Sequence, residues 1–273
     1  MPQSAYVGID VACAKQKRLP LAACVRVANR LETLPLRGWL TKPPLGGGNL
    51  LAMQEDFQEK FAENTVAYLR EAEMKFSVKI RRVAIDAPSD PRGLDREQRR
   101  CELALGEAKI NCFHTPSRTE FEEIRRRVEK HIGEGGAESH IPYANKLWML
   151  VGFALFKRLR QEWECLEVFP QATVRAMDAA ELHKSSAKGY EKQLSAAARD
   201  TGIAFTRLAS ELKLAAFGAR HDRLDAYLCA WVASLEEHER EAFGFPPEDA
   251  IWVPRQSVLQ RGRADLPFGS HPA

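Results

Sequence analysis

The chain has no C-x-x-C pair and only six cysteines in 273 residues, Cys13, Cys24, Cys101, Cys112, Cys165 and Cys229, all well separated. That scatter offers neither a zinc knuckle nor a disulfide framework, and points to reduced, buried thiols in a cytoplasmic protein. An N-terminal charged segment followed by an apolar run is also missing, because Asp10 interrupts the only candidate stretch; no secretory leader is expected. No window approaches the roughly 20 apolar residues that a bilayer-spanning helix needs, so no membrane partner is expected. An excess of one charge is lacking too. Lys and Arg total 40 against 37 Asp and Glu, a formal net charge of +3, too mild to demand an anionic partner. Any case for nucleic acid must therefore come from local clusters. No internal repeat is visible.

What is present is enough apolar material, 45% of the chain, for one sizeable core. One domain over 1–254 is expected, with a helical insertion around 94–162 and a mobile Gly-, Arg- and Pro-rich tail over 255–273. Apolar stretches at 5–12 and 21–28, separated by Lys15-Gln16-Lys17-Arg18, read as a hairpin, with a third strand at 31–36. After the breaker-rich 42–49, the spacing of Phe57, Phe61, Val66 and Leu69 predicts a helix over 50–74. A strand over 79–88 ends on Asp86, Ala87 and Pro88. Helices are expected at 95–105, 119–131 and 143–162, a short strand at 165–169 closed by Pro170, largely helical chain over 187–214, a helix at 221–237 and an edge strand at 250–254. Hairpin first and strands alternating with helices later indicate an α/β fold, a mixed sheet with flanking helices.

Several acids sit where packing alone would not place them. Asp10 lies among Val7, Ile9 and Val11, and an unpaired carboxylate there would cost several kcal/mol, so it needs a hydrogen bond, a cation or a metal. A strand-end Asp capping a neighbouring loop is the plain alternative. Asp86 repeats the pattern after Val83, Ala84 and Ile85. On the late helix, Leu224, Tyr227, Leu228, Trp231 and Leu235 form a bulky stripe, whereas Ala226, Cys229 and Ala233 form a small-residue face. At 100° per residue Asp222 and Asp225 fall on or beside that small face, where a helix can lie close to a sheet and deliver carboxylates into a crevice. Asp222 is equally explained as an N-terminal helix acid; Asp225, one turn further in, is harder to explain that way. Glu167 is a third strand-embedded acid, either a ligand or an acid on the solvent side of an edge strand. Lys184 and Lys188, in a Lys-Ser loop, offer ammonium groups for a phosphate, or simply a solvated turn. Arg96, Arg99 and Arg100, then Arg125, Arg126 and Arg127, then Lys157, Arg158 and Arg160, form positive patches able to follow a phosphate backbone, although such faces are commonly just solvent surface.

Val7-Gly8-Ile9-Asp10, Ala84-Ile85-Asp86-Ala87-Pro88, Arg99-Arg100-Cys101-Glu102, Glu167-Val168-Phe169-Pro170 and Asp222-Arg223-Leu224-Asp225-Ala226 together resemble, in that order, the domain of unknown function 429 family, regarded as a predicted nuclease with a ribonuclease H-like fold. The resemblance touches most of the chain through short motifs. It implies a ribonuclease H-like mixed sheet with flanking helices and helical insertions. In the wider superfamily, which includes the Holliday-junction resolvases, metal-binding acids stand on the first strand, the fourth strand and a late helix. Carried over, Asp10, Asp86, Asp222 and Asp225 are the implied metal ligands and catalytic residues, with Glu167 a further candidate ligand and Lys184, Lys188 and Arg99 candidates for holding substrate. One departure is Asp86, followed by Ala-Pro, where the resolvases usually carry a glutamate of longer reach.

The leading expectation is therefore a nuclease hydrolysing DNA or RNA with two Mg²⁺ or Mn²⁺ ions, Asp10 bridging them and His221 assisting proton transfer. Actin-like kinases also begin with a strand acid, but need a glycine and a hydroxyl soon after it to cradle phosphates; Val11-Ala12-Cys13-Ala14-Lys15 supplies neither. A catalytically inert nucleic-acid-binding or interaction module on the same fold is the non-enzymatic rival.

Overall fold

The computed structural model describes residues 2–259. The apolar alternation at the start forms the expected hairpin: β1 (Gln3–Asp10) pairs antiparallel with β2 (Leu21–Val27), and β2 with β3 (Arg30–Thr33). On the other side of β1 lies β4 (Val78–Asp86), parallel to it, and then β5 (Glu164–Glu167), parallel to β4. The result is a five-stranded mixed sheet of order β3-β2-β1-β4-β5. The chain between strands forms α1 (Asn49–Ala52), α2 (Glu55–Phe76), α3 (Arg100–Glu107), α4 (Arg118–Gly133) and α5 (Ala144–Leu159). After β5 come α6 (Pro170–Ala176), α7 (Ala187–Asp200), α8 (Phe205–Ala215) and α9 (Arg220–Ser234).

Strand alternation sorts the two faces of the sheet. Ala5, Val7 and Ile9 of β1, with Val83 and Ile85 of β4, pack against Phe61 and Leu69 of α2 and Val151 and Leu155 of α5. Tyr6 and Ala84 point the opposite way, into a cluster with Leu166 and with Cys229, Val232 and Ala233 of α9. The period of two therefore sends the terminal residues Asp10 and Asp86 toward the α9 side. The small face of α9 is what brings it there. A Cβ on Gly8 would stand 1.9 Å from the Ala226 carbonyl oxygen and 2.2 Å from the Ala230 nitrogen, so β1 and α9 touch backbone to backbone only because position 8 is glycine. The far end of α9 is held by Arg82, whose buried guanidinium donates to the carbonyls of Ala233 at 2.6 Å and Leu235 at 2.8 Å. Those are helix-end acceptors that the helix itself leaves unpaired.

The elements depart from the sequence expectation in several places, among them the helix expected over 50–74, which breaks after Ala52 into α1 and α2. The stretch 187–214 is two helices, because Gly202 at φ +72 turns the chain between α7 and α8. Pro170 does more than close β5: at the first helical position it opens α6, where its fixed φ suits a helix start. The helix expected at 95–105 begins only at Arg100. The apolar run at 250–254 is a strand, as expected, and meets the edge of the main sheet through a parallel bridge of Trp252 to Val168 just past β5. It forms β7 (Asp249–Pro254), which pairs antiparallel with β6 (Arg240–Phe245) in a separate two-stranded sheet. β6 escaped notice because Arg-Glu-Ala-Phe-Gly-Phe shows too little alternation. Within the stretch 94–162, α5 joins α2 beneath the sheet, while Phe121, Ile124 and Val128 of α4 pack on Leu147 and Met149 of α5. Of the tail expected to be mobile, 256–259 form a helical turn with Leu259 buried, and residues 260–273 lie outside the described residues. Among the described residues no helix is long and apolar enough to cross a membrane.

Candidate functional site

Asp10 and Asp86 end adjacent parallel strands and are direct register partners. Neighbouring strands run about 4.8 Å apart, so both carboxylates leave the same edge of the sheet side by side. The close seating of α9 on Gly8 adds Asp225, 2% exposed, from the helix's second turn. Opposite Asp225, the loop between α6 and α7 contributes Lys184, whose Nζ forms an ion pair with Asp225 Oδ2. The structure thus brings together Asp10, Asp86, Asp225 and Lys184 from four separate stretches of chain.

The electrostatics of this crevice are unbalanced. Burial pushes Asp86 up to about 8, with Asp225 and then Glu167 adding to the shift and Lys184 opposing it. Burial likewise raises Asp10 well above the ordinary carboxylate range; Asp225, Asp86 and Asp222 reinforce it in that order, and Lys184 again opposes. Asp225 is raised by burial despite the Lys184 contact. Burial alone would pull Lys184 down, but Asp225, followed by Asp86 and Asp10, holds it above the usual lysine value, so it stays an ammonium. One cation does not offset three desolvated carboxylates.

The other sequence candidates take different places. Asp222 accepts a hydrogen bond from the Ala219 N–H at 2.7 Å and contacts His221 Nε2 at 3.0 Å, so it serves the start of α9 while standing close enough to act on Asp10. Glu167 is buried but committed: Arg99 grips it with two bonds of 2.8 Å, and the Ser89 N–H donates at 2.8 Å. Arg99 also donates to Asp249 at 3.2 Å, so this guanidinium is enclosed within a protein network. Lys188 is exposed on the first turn of α7. Most of the positive patches carry acids of their own. Arg96 pairs with Asp95 and Asp249, Arg126 and Arg127 with Glu123, Arg158 with Glu63 and Glu162, and Arg160 with Asp90.

Two hollows flank the aspartates. A narrow cavity of about 60 Å³ is lined by Asp86, Glu102, Trp148, Phe169 and the Arg99–Glu167 pair. A wider groove of about 560 Å³ runs past Val11, Lys15, Asn49 and Ser139, and Trp148 lines it too. Trp148 therefore borders both hollows. Nothing in the sequence marked it, since it is one aromatic among the apolar residues of α5. Arg82 was also missed; its role requires the end of α9 to arrive beside β4.

The donor chemistry here suits a hard divalent cation, since carboxylate oxygens are what Mg²⁺ and Mn²⁺ take. Among the described residues, however, no three His, Cys, Asp or Glu side chains stand ready grouped as a metal-binding set; the cation held at the aspartates is the Lys184 ammonium. A family model described as "Protein of unknown function (DUF429)" matches residues 8–250. No curated protein and no solved structure matches the chain.

Proposed function

This chain belongs to the DUF429 family, a family of unknown function, and from the residues of its crevice we propose that it is a divalent-metal-dependent phosphodiesterase hydrolysing DNA or RNA on a ribonuclease H-like fold. The sheet order, a hairpin followed by two parallel strands on the far side of β1, supports that fold, as do acids at the ends of β1 and β4 and on a late helix. The single observation carrying the activity is the convergence of Asp10, Asp86 and Asp225 on one crevice, where burial and their mutual repulsion raise the pKa of each and leave sites that an arriving cation would favour in the ionised form. Asp10, Asp86 and Asp225 would hold Mg²⁺ or Mn²⁺, with Asp222 adding negative charge from the start of α9. Such an ion would supply a Lewis acid for the phosphate and an activated water.

The chain's own groups complete the site. Lys184 offers a charged ammonium to phosphate oxygens at the mouth of the crevice. Trp148 offers an aromatic face at the junction of the two hollows, of the kind on which an unpaired base stacks. His221, partly exposed beside Asp222, is the group placed to pass a proton. Asp10→Asn is expected to cut Mn²⁺-dependent cleavage of a panel of single- and double-stranded DNA and RNA by at least about 100-fold while leaving the circular dichroism spectrum intact. Unchanged cleavage would remove this mechanism.

A second reading, an inert nucleic-acid-binding or interaction module on the same fold, is favoured by one observation: Asp225 already has a cation partner in Lys184. Calorimetric titration with Mn²⁺ separates the two. No heat of binding, or binding indifferent to Asp86→Asn and Asp225→Asn, selects the inert module.

A further inference from the structure

Two acids near the crevice are already satisfied. Glu167 has Arg99 and the Ser89 N–H, and Asp222 has the Ala219 N–H and His221. The carboxyl groups left to hold a cation are Asp10, Asp86 and Asp225, and the ammonium of Lys184 lies on the third of them. A second ion would have to share Asp225 with a positive group already seated there, and like charges at contact distance in a buried setting repel strongly.

Lys184 is not a loose surface lysine that would simply step aside. Its side chain is 26% exposed, and the loop carrying it is fastened on both sides. Gln193 Nε2 donates to the Leu182 carbonyl at 3.2 Å, and Ser186 Oγ donates to the His183 carbonyl at 2.9 Å. The same Ser186 Oγ accepts from the Gly189 N–H at 3.0 Å, capping α7. A Cβ on Gly189 would come within 2.2 Å of the His183 carbonyl oxygen, so the loop lies flat on the first turn of α7, and a glycine is what lets it do so.

We propose that Lys184 is a built-in replacement for one cation of a two-cation phosphodiesterase site, so that the crevice takes one divalent ion, held by Asp10 and Asp86, beside the Lys184 ammonium on Asp225. The inference rests on the metal-dependent reading above and sets one ion where the sequence suggested two. A phosphate entering the site would then lie between one ion and one ammonium, and the ammonium would be present before any metal binds.

The test counts Mn²⁺ bound to the full chain by calorimetry and by electron paramagnetic resonance, with no substrate present. Wild type is expected to bind one Mn²⁺ per chain. Lys184→Met keeps most of the stem length and removes the charge; it is expected to bind a second Mn²⁺, seen as a second calorimetric phase and as line broadening from paired ions. Lys184→Arg keeps the charge and is expected to stay at one. Two ions in wild type would overturn the inference while leaving the metal-dependent reading intact, and so would a single site of unchanged affinity in Lys184→Met. No Mn²⁺ binding in any form would remove the metal-dependent reading and this inference together. Should Lys184→Met fail to fold, the counts for wild type and Lys184→Arg still decide, because two ions in either overturn the proposal.

Discussion

Asp86 and Glu167 end neighbouring strands of one sheet, Asp86 partly buried and Glu167 fully so, yet the fold treats them in opposite ways. Around Glu167 it builds a closed network: two bonds from Arg99, one from the Ser89 N–H, and Asp249 on the far side of the guanidinium. Around Asp86 it adds Asp10 on the next strand and Asp225 from α9, and sets Lys184 against all three. The first arrangement is structural in character, because every charge has its partner. The second crowds incompletely paired carboxyl groups that raise one another's pKa, an arrangement that costs stability once they ionise and is common at functional sites.

The contrast can be broken most decisively at the satisfied end. Arg99→Ala leaves Glu167 buried without its cation, and urea denaturation is expected to show a loss of about 3–5 kcal/mol. A loss below about 1 kcal/mol, the scale of a surface pair, would mean that the network is not the structural element described here. Next in size is Gly8→Val, which drives a side chain into the backbone of α9. It is expected to cost about 1–3 kcal/mol and to weaken Mn²⁺ binding as Asp225 is pushed from the crevice. Stability lost without any change in metal binding would show that the close seating of α9 is not what forms the site.

The smallest effect has the opposite sign and sharpens the comparison most. Asp86 has a folded-state pKa raised to about 8 from 3.8, so the folded protein binds this proton more tightly than the unfolded chain does. Its contribution to stability is therefore fully present below the unfolded value and is lost as pH rises through the folded value, between about pH 4 and pH 8. In EDTA, urea unfolding is expected to show Asp86→Asn stabilising the protein by about 1–2 kcal/mol at pH 8, the roughly 5 kcal/mol of the full shift being reduced by the partial exposure of Asp86 to solvent, and hardly at all near pH 4. Glu167→Gln, which takes charge from a matched pair, is expected to destabilise at pH 8. Two destabilising substitutions there would erase the distinction between the regions.

Much of this arrangement was legible in the chain. An acid interrupting Val7-Gly8-Ile9 and another ending Val83-Ala84-Ile85 announced themselves because buried strands do not otherwise tolerate carboxylates. The small face Ala226, Cys229 and Ala233 foretold the close approach of α9, and the structure seats that face on Gly8. Other features were not legible. Arg99 and Glu167, 68 residues apart, each drew a separate role, substrate binding for one and metal binding for the other, and only folding shows them bound to each other. Lys184 and Lys188 were indistinguishable in a Lys-Ser loop; the seating of that loop on α7 turns the first into the crevice and leaves the second in solvent.

By itself the sequence determined most of the elements and the helix face that carries Asp225, because strand and helix periods of 2.0 and about 3.6 residues are written locally in the apolar pattern. The tertiary structure decided which charges would meet. That pairing depends on contacts between distant segments, Asp225 with Lys184 and Glu167 with Arg99, and no local period records them.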